Sequence, residues 1–254
     1  MKRLPALALS LLVSASVFAQ NPPMFYSVRE QIARPGAIGQ YESASRDLIS
    51  VLTAQNADPK VFTIHTYMST DLHYFYLTPI ANFASIDTMF SGWMKMGTTA
   101  GDKWTDVMKR NASALQSWDD YVLMRRTDLS YAPATPRVKS DEIRFVHLTY
   151  YYIDPARMND AEQVAKDWAA LFKSKNSGET FTVYQVVTGH DLPLLIVADY
   201  AKDAVDFYTA QQRVGAAMPE IRGLIARAGA ATRRLEFRDV VSRPDLSYPL
   251  PASK

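Results

Sequence analysis

The sequence predicts an α+β protein in which two tandem β-α-β-β-α-β units pack sheet to sheet. Three features predict it: one order of strand and helix patterns runs through the chain twice, short segments recur at a nearly constant offset, and a strand is apolar on both faces. Val61-Phe62-Thr63-Ile64 and the turn at Ser69-Thr70-Asp71-Leu72 are matched 119 positions later by Thr180-Phe181-Thr182-Val183 and the turn at Thr188-Gly189-His190-Asp191-Leu192. Arg126-Thr127-Asp128-Leu129-Ser130-Tyr131 recurs as Arg243-Pro244-Asp245-Leu246-Ser247-Tyr248, 117 positions on. Two landmarks at almost one spacing mark an internal duplication.

The elements follow in order. Tyr26 to Ile32 and Phe145 to Ile153 are rich in aromatic and β-branched residues and read as the first strand of each copy. Ile38, Tyr41, Ser45, Leu48, Ile49 and Leu52 make a helical stripe. So do Met158, Ala161, Val164, Ala165, Trp168, Leu171 and Phe172, with unbroken i, i+3, i+4, i+7 spacing. Asn56-Ala57-Asp58-Pro59 and Asn176-Ser177-Gly178 stop these helices. Hairpins are expected over 61–78 and 180–198, then helical segments over 83–96 and 103–115 in one copy and over 202–214 and 219–230 in the other. Closing strands run from Tyr121 to Arg125 and from Leu235 to Val241, and Pro133, Pro136 and Lys139-Ser140-Asp141 form the linker. The run Phe145 to Tyr152 carries aromatics at both parities, so it needs cover on both sides. Two copies can shield each other's open sheet face and enclose a chamber between them. The other arrangement is two domains, each with its own cover.

In its element order and duplication the chain resembles the dimeric α+β barrel superfamily in tandem fused form. This is the ferredoxin-like, antibiotic-biosynthesis-monooxygenase-like group. The resemblance covers nearly all of residues 24–248. It implies two ferredoxin-like repeats, 20–134 and 142–254 with a linker at 135–141, closing as a pseudo-dimeric barrel. It also implies a protein that binds or transforms a small hydrophobic or planar ligand, with haem held by a strand histidine as one variant. A non-catalytic exported binding or assembly protein is the competing reading, and a fold alone does not choose between them.

Met1-Lys2-Arg3, the uncharged apolar run Leu4 to Phe18, and Val17-Phe18-Ala19 before Gln20 have the three parts of a secretory signal peptide over 1–19. Fifteen apolar residues fall short of the roughly 20 that span a bilayer, so export to the periplasm or medium is expected, with no membrane attachment after cleavage. The sequence has 28 Lys and Arg, 26 Asp and Glu, and a net charge of +2. Without Lys2 and Arg3 it is formally neutral, which argues against nucleic acid as a partner. The absence of cysteine excludes disulfides, thiolate nucleophiles and Cys-ligated metal centres.

Site candidates are few. His65 and His147, on predicted strands, are the candidate proton-transfer residues, because imidazole titrates near neutrality; a strand histidine is more often a core or interface residue satisfied by one hydrogen bond. Tyr67, Tyr184, Trp93 and Tyr151 are the candidate ligand-binding residues. His190 is explained by turn chemistry with Gly189 and Asp191. His65 and His73 would share a metal only if the hairpin turn centred on Ser69. No His-x3-His, His-Glu-x-x-His or acidic calcium loop supports a metal, and no nucleophile elbow, Walker loop or dinucleotide fingerprint is present. Cofactor, catalysis and oligomeric state stay open. One asymmetry stands out: Met89, Phe90, Trp93, Met94 and Met96 crowd the second helix region of copy one, whereas copy two has Phe207-Tyr208 followed by Gln211-Gln212-Arg213. Such side chains line apolar cavities as readily as they fill cores, and a duplicated scaffold can keep one pocket while filling the other.

Overall fold

The computed structural model describes residues 24–249; the expected signal peptide lies outside them. The first repeat comprises β1 (Phe25–Ala33), α1 (Ile38–Ala54), α2 (Pro59–Phe62), β2 (His65–Ser69), β3 (His73–Ile80), α3 (Ala84–Ala100), α4 (Asp102–Ala114) and β4 (Leu115–Tyr131). The second comprises β5 (Phe145–Ile153), α5 (Met158–Ser174), β6 (Phe181–Thr188), β7 (Leu194–Ala201), α6 (Ala204–Ala217), α7 (Ile221–Ala231) and β8 (Thr232–Ser242). The eight strands close into one antiparallel barrel in the order β1-β3-β2-β8-β5-β7-β6-β4, which leaves no open sheet edge.

The faces follow from strand parity. Val28, Tyr121, Leu123, Tyr150, Tyr152, Val186, Leu194 and Ile196 point inward and form one buried cluster. Phe75, Val146, Ala198 and Val240 form a second. The two sheets therefore shield one another as expected, but the middle of the barrel is a packed core, not a hollow chamber. The residues of opposite parity meet the helices, so β5 is covered on both sides.

Two sequence expectations change. Val61-Phe62 belongs to the short helix α2, not to a hairpin strand: Pro59 occupies its first turn and the Asp58 carboxylate accepts from the Lys60 backbone N–H at 3.0 Å. The closing strand β4 is 17 residues long, because its first half pairs with β1 and its second half with β6 of the other repeat. The linker is docked. Arg137 N–H donates to the Gly178 carbonyl at 2.7 Å, and its guanidinium pairs with Glu179 and Asp206.

The repeated Arg-x-Asp-Leu-Ser-Tyr segment is a reciprocal clasp, in which each copy sits on the other repeat. Arg126 grips Asp128 and reaches Glu162 on α5; Arg243 grips Asp245 and reaches Glu42 on α1. Ser130 Oγ accepts from Val183 N–H at 2.9 Å, and Ser247 Oγ accepts from Thr66 N–H at 3.0 Å. The Tyr131 hydroxyl donates to the Ser177 carbonyl and the Tyr248 hydroxyl to the Ala57 carbonyl. Leu129 lies fully buried in the second repeat's core and Leu246 fully buried in the first's. Each repeat is thus completed by the other's tail.

The β6–β7 turn is wedged against β4. Gly189 has φ +76°, and a Cβ there would lie 2.5 Å from the Asp120 carbonyl oxygen. Gly189→Ala is expected to cost roughly 1–3 kcal/mol from left-handed strain and displacement of β4, measurable as a lower urea midpoint with an unchanged m-value. A midpoint equal to that of the parent protein would mean the turn is not held there.

Candidate functional site

The space between sheet and helices differs sharply between the two copies. In the second repeat, α6 lies on β5 and β7: the Phe207 ring sits 5.6 Å from that of Phe145 and 4.6 Å from that of His147. What remains beneath it is about 20 Å³, bounded by Asp199, Thr180, Phe172 and Phe207, room for about one water. In the first repeat, α3 leans on α2 and α4 instead of on the sheet. Phe62 packs edge-on to Trp93 at 5.2 Å, and Trp93 meets Trp104 at 5.5 Å. Gly92 permits this: a Cβ on it would lie 2.7 Å from Val61 Cγ1. The wedge α2 thereby props the N-terminal half of α3 away from β3 and leaves a groove of about 300 Å³.

Val61, Pro79, Ile80 and Met89 line this groove, with the polar groups of Asp58, Lys60, Thr78, Ser85 and Thr88 among its walls. The Asp58 carboxylate caps α2. Beyond the groove, α3 turns Phe90 and Met94 outward, 68% and 63% exposed, and only Met96 of this helix is buried. The Met and aromatic surplus read from the sequence is therefore split between a wall, an aromatic cluster and the surface.

The six candidate residues do not converge. His65, Tyr67 and Tyr184 lie on the inner barrel face; His147 and Tyr151 lie on the outer face of β5; Trp93 is on α3, beside the groove. Burial pushes the Tyr67 hydroxyl up to about 12 and the Tyr184 hydroxyl well above its usual value. Tyr184 packs edge-on to Tyr26 at 6.0 Å, with its hydroxyl 3.5 Å from that of Tyr200. The tyrosines thus form a polar end to the packed interior. Burial holds the His65 imidazole below its usual value. His147 is bracketed by the Phe207 and Phe237 rings, and its Nδ1 lies 2.6 Å from Asp239. Tyr151 belongs to the second repeat's core, and burial, then the nearby Asp199, push it up to about 12. The hairpin register pairs His65 with Leu77, so His65 and His73 sit at opposite ends of the β2–β3 hairpin and cannot share a metal. His147 is closed between two rings beside a one-water space, and no histidine lines the groove, so neither place offers a strand histidine to a haem.

Sequence reasoning missed the charged residues at one barrel mouth. Glu30 on β1, His73 on β3, His190 in the β6–β7 turn and Arg238 on β8 meet there. The one available signal was a glutamate at an inward parity of β1, between Val28 and Ile32.

No protein-family model matches the sequence, and no curated protein does. Solved structures do match in fold. An anthrone oxidase-like protein superposes with a TM-score of 0.58 at 8% identity, covering 86% of this chain and 91% of that one. Chlorite dismutase from Candidatus Nitrospira defluvii, solved with imidazole, gives 0.54 at 10% identity, covering 89% and 93%. The class is settled by these likenesses and the closed eight-stranded barrel: the chain is a dimeric α+β barrel fold, built from two fused ferredoxin-like repeats.

Proposed function

We propose that this is an exported protein that binds a small hydrophobic ligand in the groove between α2, β3 and α3. One observation carries the reading: two copies of one scaffold leave about 300 Å³ between sheet and helix in the first repeat and about 20 Å³ in the second. The larger value lies at the low end of the range for small-molecule pockets. An apolar lining with hydroxyls, the Asp58 carboxylate and the Lys60 side chain among its walls suits a compact, mostly apolar molecule with a polar end. The likeness in fold to an anthrone oxidase-like protein supports the reading, and the leader-like residues 1–19 favour export.

The test uses the environment-sensitive dye anilinonaphthalene sulfonate, followed by energy transfer from Trp93 and Trp104. Saturable one-to-one binding is expected, weakened at least tenfold by Met89→Trp, which fills the groove. Val205→Trp, on the exposed side of α6, is expected to leave binding unchanged. Equal binding by the parent protein and Met89→Trp would sink the proposal.

A further inference from the structure

The groove beneath α3 is walled by polar side chains that have work left to do. Lys60 of α2, Thr78 of β3 and Thr88 of α3 come one from each of the three elements that form it. Thr98 and Thr99, farther along α3, turn their hydroxyls back to the carbonyls of Met94 and Lys95. Among the described residues, the hydroxyls of Thr78 and Thr88 have no such partner and are not buried. The lysine ion pairs join Lys175 to Glu220 and Lys202 to Glu142. Among the described residues, no carboxylate lies within ion-pair distance of Lys60.

The other polar wall residues are committed. The Asp58 Oδ1 accepts from the Lys60 backbone N–H at 3.0 Å, which fixes the start of α2. Ser85 is tied to Asn82 at the start of α3. What remains is one ammonium and two hydroxyls beside an apolar floor of Val61, Ile80 and Met89. A hydroxyl donates or accepts as required, whereas an ammonium only donates. A cationic head would meet Lys60 as a like charge, and a neutral head would leave the ammonium without a counter-charge. A carboxylate has about four lone-pair sites, and its bonds to an ammonium are charge-assisted.

We propose that the groove selects a monocarboxylate with a short apolar body, of the kind of a medium-chain fatty acid. Lys60, Thr78 and Thr88 take the carboxylate, and Val61, Ile80 and Met89 take the tail. This inference rests on the ligand-binding reading of the groove and adds the chemistry of the polar end. The short helix α2 then has two tasks: it props α3 away from the sheet, and it carries the charge that selects the ligand. The second repeat has neither feature. No helix lies between α5 and β6, and the space under α6 is about 20 Å³.

Displacement of the uncharged dye N-phenyl-1-naphthylamine at neutral pH tests the selection, with octanoate, 1-octanol and octylammonium as competitors that share one tail. Octanoate is expected to compete about fivefold better than octanol, the size of a charge-assisted contact at a partly exposed site, and octylammonium worse than either. Lys60→Met keeps the side-chain stem and the backbone N–H that Asp58 needs. It is expected to bring octanoate down to octanol while dye and octanol binding stay unchanged, and Lys60→Arg is expected to restore the preference. Equal competition by octanoate and octanol overturns the inference and leaves the groove reading standing. So does a preference for octylammonium, or an octanoate preference that persists in Lys60→Met. If Met89→Trp leaves dye binding intact, the groove reading itself fails and this inference falls with it.

Discussion

Leu246→Ala is expected to lower the melting temperature of the whole barrel by roughly 5–15 °C. The side chain is fully buried among Ala33, Tyr41, Tyr74, Ala114 and Leu115 of the first repeat. Truncating such a leucine costs about 2–5 kcal/mol through lost transfer energy and the cavity left behind. For a chain of this size each kcal/mol moves Tm by about 2–4 °C. Leu129→Ala is expected to do the same from the second repeat's core. Because each clasp completes the opposite repeat, either substitution should shift a single cooperative transition. Tryptophan fluorescence reports this, since Trp93 and Trp104 lie in the first repeat and Trp168 lies in the second repeat's core. If Leu129→Ala melted the second repeat early while the first-repeat signal stayed in place, the reciprocal dependence would be disproved.

Asp199→Asn is expected to stabilise the protein above neutrality and to flatten its pH dependence. Asp199 lies on the outer face of β7 beside the one-water cavity. Burial, then the Glu179 carboxylate, raise it from the usual carboxylate range to about 7. Arg137, at the same cavity, is already engaged by Glu179 and Asp206. The unfolded group titrates near 3.9. Between about pH 4 and pH 7 the folded state therefore binds the proton that the unfolded state has released, and stability falls as pH rises through that window. The shift corresponds to at most about 4 kcal/mol, reduced by whatever water enters the cavity. Urea unfolding at pH 5 and pH 8 checks the sign. The parent should lose stability between the two, and Asp199→Asn should lose less; parallel losses would show that Asp199 ionises freely in the folded state.

Local patterns made most of the fold legible. The span Phe145–Ile153 was readable to the residue, because an aromatic and β-branched run between turn signals has few other fates. The helical stripes on α1 and α5 were equally plain. Of the closing strand β4 only Tyr121 to Arg125 is legible, because Gln116, Ser117, Asp119 and Asp120 have solvent chemistry and the remaining length is pairing with strands far away in sequence. The short helix α2 is hidden in the sequence because Val61-Phe62-Thr63-Ile64 has strand composition. Asp58 and Pro59 outweighed that composition locally.

The sites were less legible. His190 in a turn and Glu30 in a strand have ordinary local explanations, and Arg238 lies 208 positions from Glu30. A buried charge is recognisable only once its partners are known, and those partners meet through barrel closure. The amino-acid sequence by itself determined the duplication, the two-faced strands and the paired clasp motifs, all consequences of short-range periodicity and composition. The tertiary structure alone decided which copy keeps a groove and which charged side chains meet at the barrel mouth. Those outcomes depend on helix stand-off and seam register, differences of an ångström or two set by contacts such as Gly92 on Val61 and Gly189 on β4, which no local pattern encodes.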